Sequence, residues 1–423
     1  MGLVRKLLPQ LNEYILPYVL VALLLFALSG AAVESLLTEP STINAYPPGV
    51  QVFPDTSVAE GLFYFPPAHE RLTSTGKLLR VEAMPSWVAV PKGARAWRIL
   101  YTSKMPSGSL TVVSGFVVAP SRPSPPGGFP VIAWAHATTG LAYLCAPSRF
   151  AYLDIPYLET FIAKGYVVAA TDYQGLGTTG TLPYLVGSAE AEALLDSVKA
   201  AEQIPLAHAS NNVIAFGYSE GGQGALFAGQ IAHSYSPSLH LLGVVAEAPP
   251  THLRELMVQI KNSKADLPFY VLLAYAWSIT YHQPLNDMLT PTGMSRIGVL
   301  QSQCIAGIQE AYGNLQPNQV IPPHLLHHRR LSRLLKENDP GRSPITVPVL
   351  ITQGGSDSII PVSLTEETTK MMCDNEHDTV HLLVFPKANH GTILQASRRA
   401  VLSFMDNRFD NVKVQRRCIF QRY

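Results

Sequence analysis

The chain has 423 residues, of which 47% are apolar and 14% charged, and its formal net charge is +1. That balance excludes both the basic face of a nucleic-acid binder and a chain too polar to bury a core. The length exceeds one average domain, but a single α/β sheet with insertions reaches it, and 34 prolines with so little charge fit a compact, loop-rich exported chain.

Arg5 and Lys6 precede an apolar stretch from Ile15 to Leu28, which Ser29-Gly30-Ala31-Ala32 follows. Basic, hydrophobic and small residues in that order describe a secretory signal over residues 1–32, cleaved near Ala31 or Ala32, so the mature chain is expected to be secreted or periplasmic. An uncleaved membrane anchor is the alternative, because residues 15–32 approach the length that crosses hydrocarbon. No cysteine lies beside the small residues, which argues against a lipoprotein. Val33 to Tyr46 reads as a mobile polar leader. Cys145, Cys304, Cys373 and Cys418 make an even number in an exported chain, which implies two disulfides in any of three pairings, with free buried thiols as the alternative.

Asp55 to Arg80 contains Phe63-Tyr64-Phe65-Pro66-Pro67, expected to pack across a surface rather than form regular structure. Trp97 to Thr102 and Leu110 to Val118 read as an antiparallel hairpin around Ser107-Gly108, closed off by the prolines and glycines of 120–128. The pattern then changes to short continuous apolar runs, the mark of strands covered on both faces: Val131 to Ala135, Tyr166 to Ala170, Val213 to Gly217 and Leu241 to Ala246. Between them Pro156 to Lys164 is helical and stops at Gly165. Glu190 to Ile204 sets Ala193, Leu194, Val198 and Ala201 on one face against Glu192, Asp196 and Lys199 on another. Strands alternating with helices predict an α/β chain with a mostly parallel, doubly wound sheet, whose function gathers at the carboxyl ends of the strands.

After Pro249-Pro250 the alternation stops. Leu267 to Thr280 carries no charge, and a second helical group runs from Gly298 to Tyr312. Residues 251–339 are expected to form a helical cap over a core made of 33–250 and 340–423; an extra buried core layer is the alternative. Alternation resumes at Val347 to Thr352 and Val380 to Phe385, and Gly391 to Phe404 forms a closing helix.

A Gly-x-Ser-x-Gly match alone is weak, but Gly217-Tyr218-Ser219-Glu220-Gly221 lies between an apolar strand and a small-residue helix, the context such a turn requires. Gln353-Gly354-Gly355-Ser356-Asp357 and Asn389-His390-Gly391 each follow a later strand, so the acid and the histidine come in the order that α/β-hydrolases use. Ser219 would be the nucleophile, His390 its base and then acid, and Asp357 the group that sets the imidazole tautomer. Oxyanion donors are expected from the backbone N–H of Glu220 and from Thr138, with Thr139 next in line, in the loop His136-Ala137-Thr138-Thr139-Gly140.

Taken together, Phe63-Tyr64-Phe65-Pro66-Pro67, His136 to Gly140, Cys145-Ala146-Pro147-Ser148, Asp172-Tyr173-Gln174-Gly175-Leu176-Gly177, Pro183-Tyr184-Leu185 and the three catalytic motifs resemble the secretory lipase family of α/β-hydrolases, with its yeast lipase A-like and bacterial members. The resemblance implies carboxylic ester hydrolysis, a helical lid, a disulfide from Cys145 to Cys304 in that lid, and with it a second from Cys373 to Cys418. Ala137 stands where relatives usually have glycine, and its methyl group could narrow the oxyanion loop.

The leading expectation is an exported triacylglycerol lipase or esterase working through an acyl-enzyme on Ser219, with a lipid or other ester substrate and a lipid interface as its partners. The same triad could serve a polyester, phenolic-ester or peptide hydrolase, and a non-catalytic binding protein on this scaffold is the reading from another class. His324, His327 and His328 have helical spacing, but Arg329 and Arg330 beside them would repel a cation, so no metal is expected. Neither a phosphate loop nor a dinucleotide fingerprint is present, so no cofactor and no nucleic acid are expected. The sequence sets no oligomeric state.

Overall fold

A computed structural model describes residues 46–53, 60–65, 72–84, 88–149, 155–374, 378–414 and 417–423. The expected signal segment and all of the leader but Tyr46 lie outside these residues, as do Pro66 and Pro67. The unit Gly49–Tyr423 carries the sheet and every candidate site residue.

The strands in chain order are β1 (Gln51–Phe53), β2 (Leu78–Ala83), β3 (Ala94–Lys104), β4 (Leu110–Pro120), β5 (Phe129–Ala135), β6 (Val167–Thr171), β7 (Ala209–Tyr218), β8 (His240–Glu247), β9 (Pro348–Gly354), β10 (Thr379–Phe385) and β11 (Ile419–Arg422). They form one sheet in the order β1-β2-β3-β4-β6-β5-β7-β8-β9-β10-β11. The pairs β2–β3, β3–β4 and β4–β6 are antiparallel, and the rest of the sheet is parallel. The continuous apolar runs end up in the parallel part because helices cover both of its faces. Helices α1 (Leu158–Lys164), α2 (Gly187–Glu202), α3 (Glu220–Tyr235), α4 (Leu253–Ile260), α5 (Leu267–Thr280), α6 (Ile305–Tyr312), α7 (Arg329–Glu337), α8 (Val362–Cys373) and α9 (Ile393–Phe409) follow in chain order. Phe161 and Ile162 of α1 and Val401 and Met405 of α9 bury the face that carries Ile132, Trp134, Ile214 and Phe216. Helices α2 and α3 pack together and against β5 and β7.

Local pattern misjudged several positions whose partners are remote. Phe63-Tyr64-Phe65 was expected to pack across a surface without regular structure; Phe63 and Tyr64 are buried in a cluster with Leu79, Leu100 and Val112, but Glu60–Phe63 forms a short helix. The Arg80 guanidinium holds them there by donating to the carbonyls of Leu62, Phe63 and Phe65 at 2.8, 2.7 and 2.8 Å. Asp196, expected on a polar face, is fully buried and accepts from Ser103 and Tyr235 at 2.8 and 2.7 Å while Lys199 donates to its other oxygen at 3.0 Å.

Residues 251–339 add no strand to the sheet. Helix α5 is uncharged because Tyr270, Leu273 and Trp277 are buried along it, and Trp277 Nε1 donates to the Tyr184 carbonyl at 2.9 Å. The expected helical group from Gly298 to Tyr312 consists of a 3-10 turn (Ile297–Gln301) and α6. The break falls at Cys304, which is extended and bridges Gly140. Cys145 is bonded to Cys304, which ties residues 251–339 to the segment after β5, and Cys373 is bonded to Cys418.

Candidate active site

Strand β7 ends at Tyr218 and helix α3 begins at Glu220, leaving Ser219 a one-residue turn at φ 54°, ψ −122°. Holding a non-glycine residue there costs on the order of 1–3 kcal/mol, which packing around the turn has to offset. Two glycines make it feasible. A Cβ on Gly217 would strike the Gly221 carbonyl, and a Cβ on Gly221 would strike that of Ala135 at the end of β5. The Ser219 N–H donates to the Glu247 carbonyl at 2.9 Å, which fastens the turn to β8.

The loops after β9 and β10 bring the other two predicted residues to this turn. His390 Nε2 lies 2.9 Å from Ser219 Oγ, and His390 Nδ1 lies 2.8 Å from Asp357 Oδ2. With Nδ1 donating to the carboxylate, Nε2 is left to accept from the serine hydroxyl. The Asp357 side chain is shut off from solvent. Its Oδ1 accepts from the N–H groups of Ile359 and Ile360, both at 2.9 Å, and Gln353 Nε2 donates to Oδ2 at 2.9 Å. Tyr218 OH donates to the His390 carbonyl at 2.9 Å, so the residue before the serine also steadies the histidine loop.

Glu220 is the first residue of α3, so its N–H has no acceptor within the helix and is available at the turn. Thr138 lies in the loop after β5, where its hydroxyl is 3.1 Å from Tyr184 OH. Tyr173 OH donates to the His136 carbonyl at 2.8 Å and fixes the start of that loop. Burial pushes the His136 pKa down to about 4, so this imidazole is neutral at pH 7. The far end of the loop is held where the Ile305 N–H donates to the Thr139 carbonyl at 2.8 Å.

Around the site lie three buried acids, Glu220, Glu190 and Glu247, whose carboxyl groups were given no role from the sequence. Both carboxyl oxygens of Glu220 are buried without a hydrogen-bond partner among the described residues. Burial pushes the Glu220 pKa up to about 8, and burial together with Glu220 raises that of Glu190, so neither is an ordinary ionised surface acid. Glu190 packs against Gly224, which is one turn along α3 from Glu220. Glu247, at the end of β8, accepts from Thr352 at 3.1 Å and from Ser397, and burial pushes its pKa up to about 8. The available signal was position, since Glu220 and Glu247 are the only carboxylates of the elements they begin and end.

A cavity of about 870 Å³ opens beside the turn between Phe116, Trp134, Ile155, Tyr218, Ile305 and Leu394, with His136 to Thr139 as its polar rim. A second, far smaller cavity is lined by Ser219 itself. The rings of His324 and His327 lie 5.8 Å apart and tilted at a 3-10 turn, and among the described residues no group of three or more acids, histidines or cysteines is placed to hold a metal. No helix among those residues is long and apolar enough to cross a membrane.

Comparison with known proteins points the same way. The sequence model of the secretory lipase family matches residues 151–416. The chain is 24% identical over 365 residues to a secreted triacylglycerol lipase of Malassezia globosa, covering 79% of this chain and 77% of that one. It is 23% identical over 322 residues to a probable inactive lipase of Mycobacterium tuberculosis, covering 71% of each. Among solved structures, Candida antarctica lipase A superposes with a TM-score of 0.72 at 17% identity, over 84% of this chain and 86% of that one. The rice cell wall degrading esterase LipA from Xanthomonas oryzae gives 0.66 at 18% identity, over 81% and 100%. The fold is that of the α/β-hydrolases, with a large, mostly parallel sheet flanked by helices.

Proposed function

The chain belongs to the secretory lipase family, and from that premise we propose that it is an exported serine hydrolase that cleaves carboxylic esters of long acyl chains through an acyl-enzyme on Ser219. The observation that carries this reading is the unbroken relay from Ser219 Oγ to His390 Nε2 at 2.9 Å and from His390 Nδ1 to Asp357 Oδ2 at 2.8 Å. His390 takes the hydroxyl proton as Ser219 Oγ attacks the ester carbonyl carbon. The oxyanion that forms accepts from the N–H groups of Glu220 and Thr138, and Asp357 stabilises the imidazolium. As the tetrahedral species collapses, the C–O bond to the alcohol breaks and Nε2 hands its proton to the departing oxygen. A water molecule then repeats both proton transfers and frees the fatty acid.

The substrate class follows from the apolar cavity, whose 870 Å³ suits a long acyl chain and is oversized for acetate. Residues 251–339 serve as the cap in this reading, joined to the oxyanion loop through Cys304 and Ile305. Two disulfides fit an oxidising compartment, in keeping with export through the signal segment. A relative described as a probable inactive lipase makes activity the first thing to measure. Ser219→Ala should lower kcat on p-nitrophenyl palmitate by a factor on the order of 10⁶, and a fluorophosphonate should label only the wild type. Undiminished turnover by the variant would remove Ser219 from the mechanism; an unlabelled, inactive wild type would leave a binding protein.

A further inference from the structure

Helix α5 opens at Asp266, an acid that does not do what a helix-opening acid ordinarily does. Its backbone is already helical, at φ −94° and ψ −4°, and its carboxyl makes no capping bond. The residue is 2% exposed, and its Oδ2 is buried without a hydrogen-bond partner among the described residues. A buried carboxyl oxygen left without a donor is unfavourable unless something supplies one.

What faces it is the smaller cavity, of about 30 Å³, shared with Ser219, Glu220, Phe269, Ile359 and Ile360. That volume admits a single hydroxyl. The catalytic centre is within electrostatic reach. Burial raises the Asp266 carboxyl pKa, a hydrogen bond from the Ser263 side chain opposes the rise, and of the catalytic groups Asp357 adds to it while His390 lowers it. The large cavity beside the serine is apolar and suits the acyl chain, so the alcohol half of an ester needs a different recess, and this one also touches Ser219.

We propose that Asp266 Oδ2 marks an alcohol-side subsite that accepts a hydrogen bond from a free hydroxyl on the leaving group, so that the enzyme selects esters of polyols, such as partially acylated glycerol, over simple alkyl esters. A site built to bond a hydroxyl discriminates against the analogue that lacks it, because the acceptor is then left buried and unanswered. This inference rests on Ser219 being the nucleophile.

The two halves of the argument separate with a pair of substrates sharing one acyl chain, 1-monooleoylglycerol and methyl oleate. Wild type should favour the monoacylglycerol, and Asp266→Ala should lower the ratio of the two kcat/KM values by about tenfold or more, whatever its absolute rates. Asp266→Asn, which keeps the shape and removes the charge, should move the ratio the same way and guards against a variant that fails to fold. A ratio unchanged within twofold in both variants, including the case where both substrates slow equally through His390, overturns the subsite. Wild-type inactivity toward both esters sinks the hydrolase reading and this inference with it.

Discussion

At Ser219 a strained backbone, two glycines with no room for a Cβ and one histidine contact coincide within a single turn. The strain is local, but what makes the serine useful in the proposed mechanism is orientation passed along from Asp357. That carboxylate is held by two backbone N–H groups and Gln353, and Gln353 is itself held through Thr365 Oγ1 at 3.0 Å. Asp357→Asn keeps the shape but offers an amide to Nδ1, which favours the wrong imidazole tautomer. The expected result is a fall in kcat on p-nitrophenyl butyrate by a factor of about 10⁴, with the folded state intact by circular dichroism. A fall smaller than about tenfold would mean that His390 is oriented by something else.

At the scale of elements, the segment around Cys304 is tied to the loop after β5 and to Cys145 beyond it. Cys304 is joined to Cys145, bridges Gly140 and is followed by Ile305, which donates to Thr139. The helix break at Cys304 is the local cost of that attachment. Replacing both cysteines with serine should destabilise the fold by about 2–5 kcal/mol, read as a lower melting temperature. The Cys373–Cys418 pair spans 45 residues against 159, so the logarithmic dependence on loop length makes its removal milder by about 1 kcal/mol. Equal melting temperatures for the two double variants would contradict this ranking.

At the scale of the whole molecule, buried carboxyls set the pH dependence of stability. Glu247 and Glu220 have pKa values pushed up to about 8 from an ordinary 4.5. A carboxyl that binds its proton more tightly in the folded chain gives full stability below its unfolded value and loses it as pH rises through the folded one. His136 runs the other way. Its folded value of about 4 lies below its ordinary 6.5, so its contribution is present above 6.5 and lost toward 4. Between pH 6.5 and 8 the carboxyls therefore dominate, and the melting temperature should fall across that window, by up to about 1.4 kcal/mol of stability per pH unit for each group. Glu247→Gln, which can still accept from Thr352 and Ser397, should flatten the slope. A melting temperature that rises from pH 6.5 to 8 would refute the assignment.

The parallel centre of the sheet and the three candidate catalytic motifs were legible in the chain because each is a short-range signal: an apolar run, a glycine-flanked turn, a polar loop after a strand. The order serine, acid, histidine needed no coordinates either. The outer strands β1 and β11 and the short β2 beside β1 were not legible, since a strand of three to six residues gains its identity from the neighbour it pairs with. The buried acids were hidden for the same reason. Glu247 meets Ser397 across 150 residues, and Asp266 reads in the sequence as an ordinary helix start. Chemistry that depends on local backbone shape was written in the sequence by itself; burial, which turns a common acid into an unanswered one beside Ser219, was decided only when distant segments packed together.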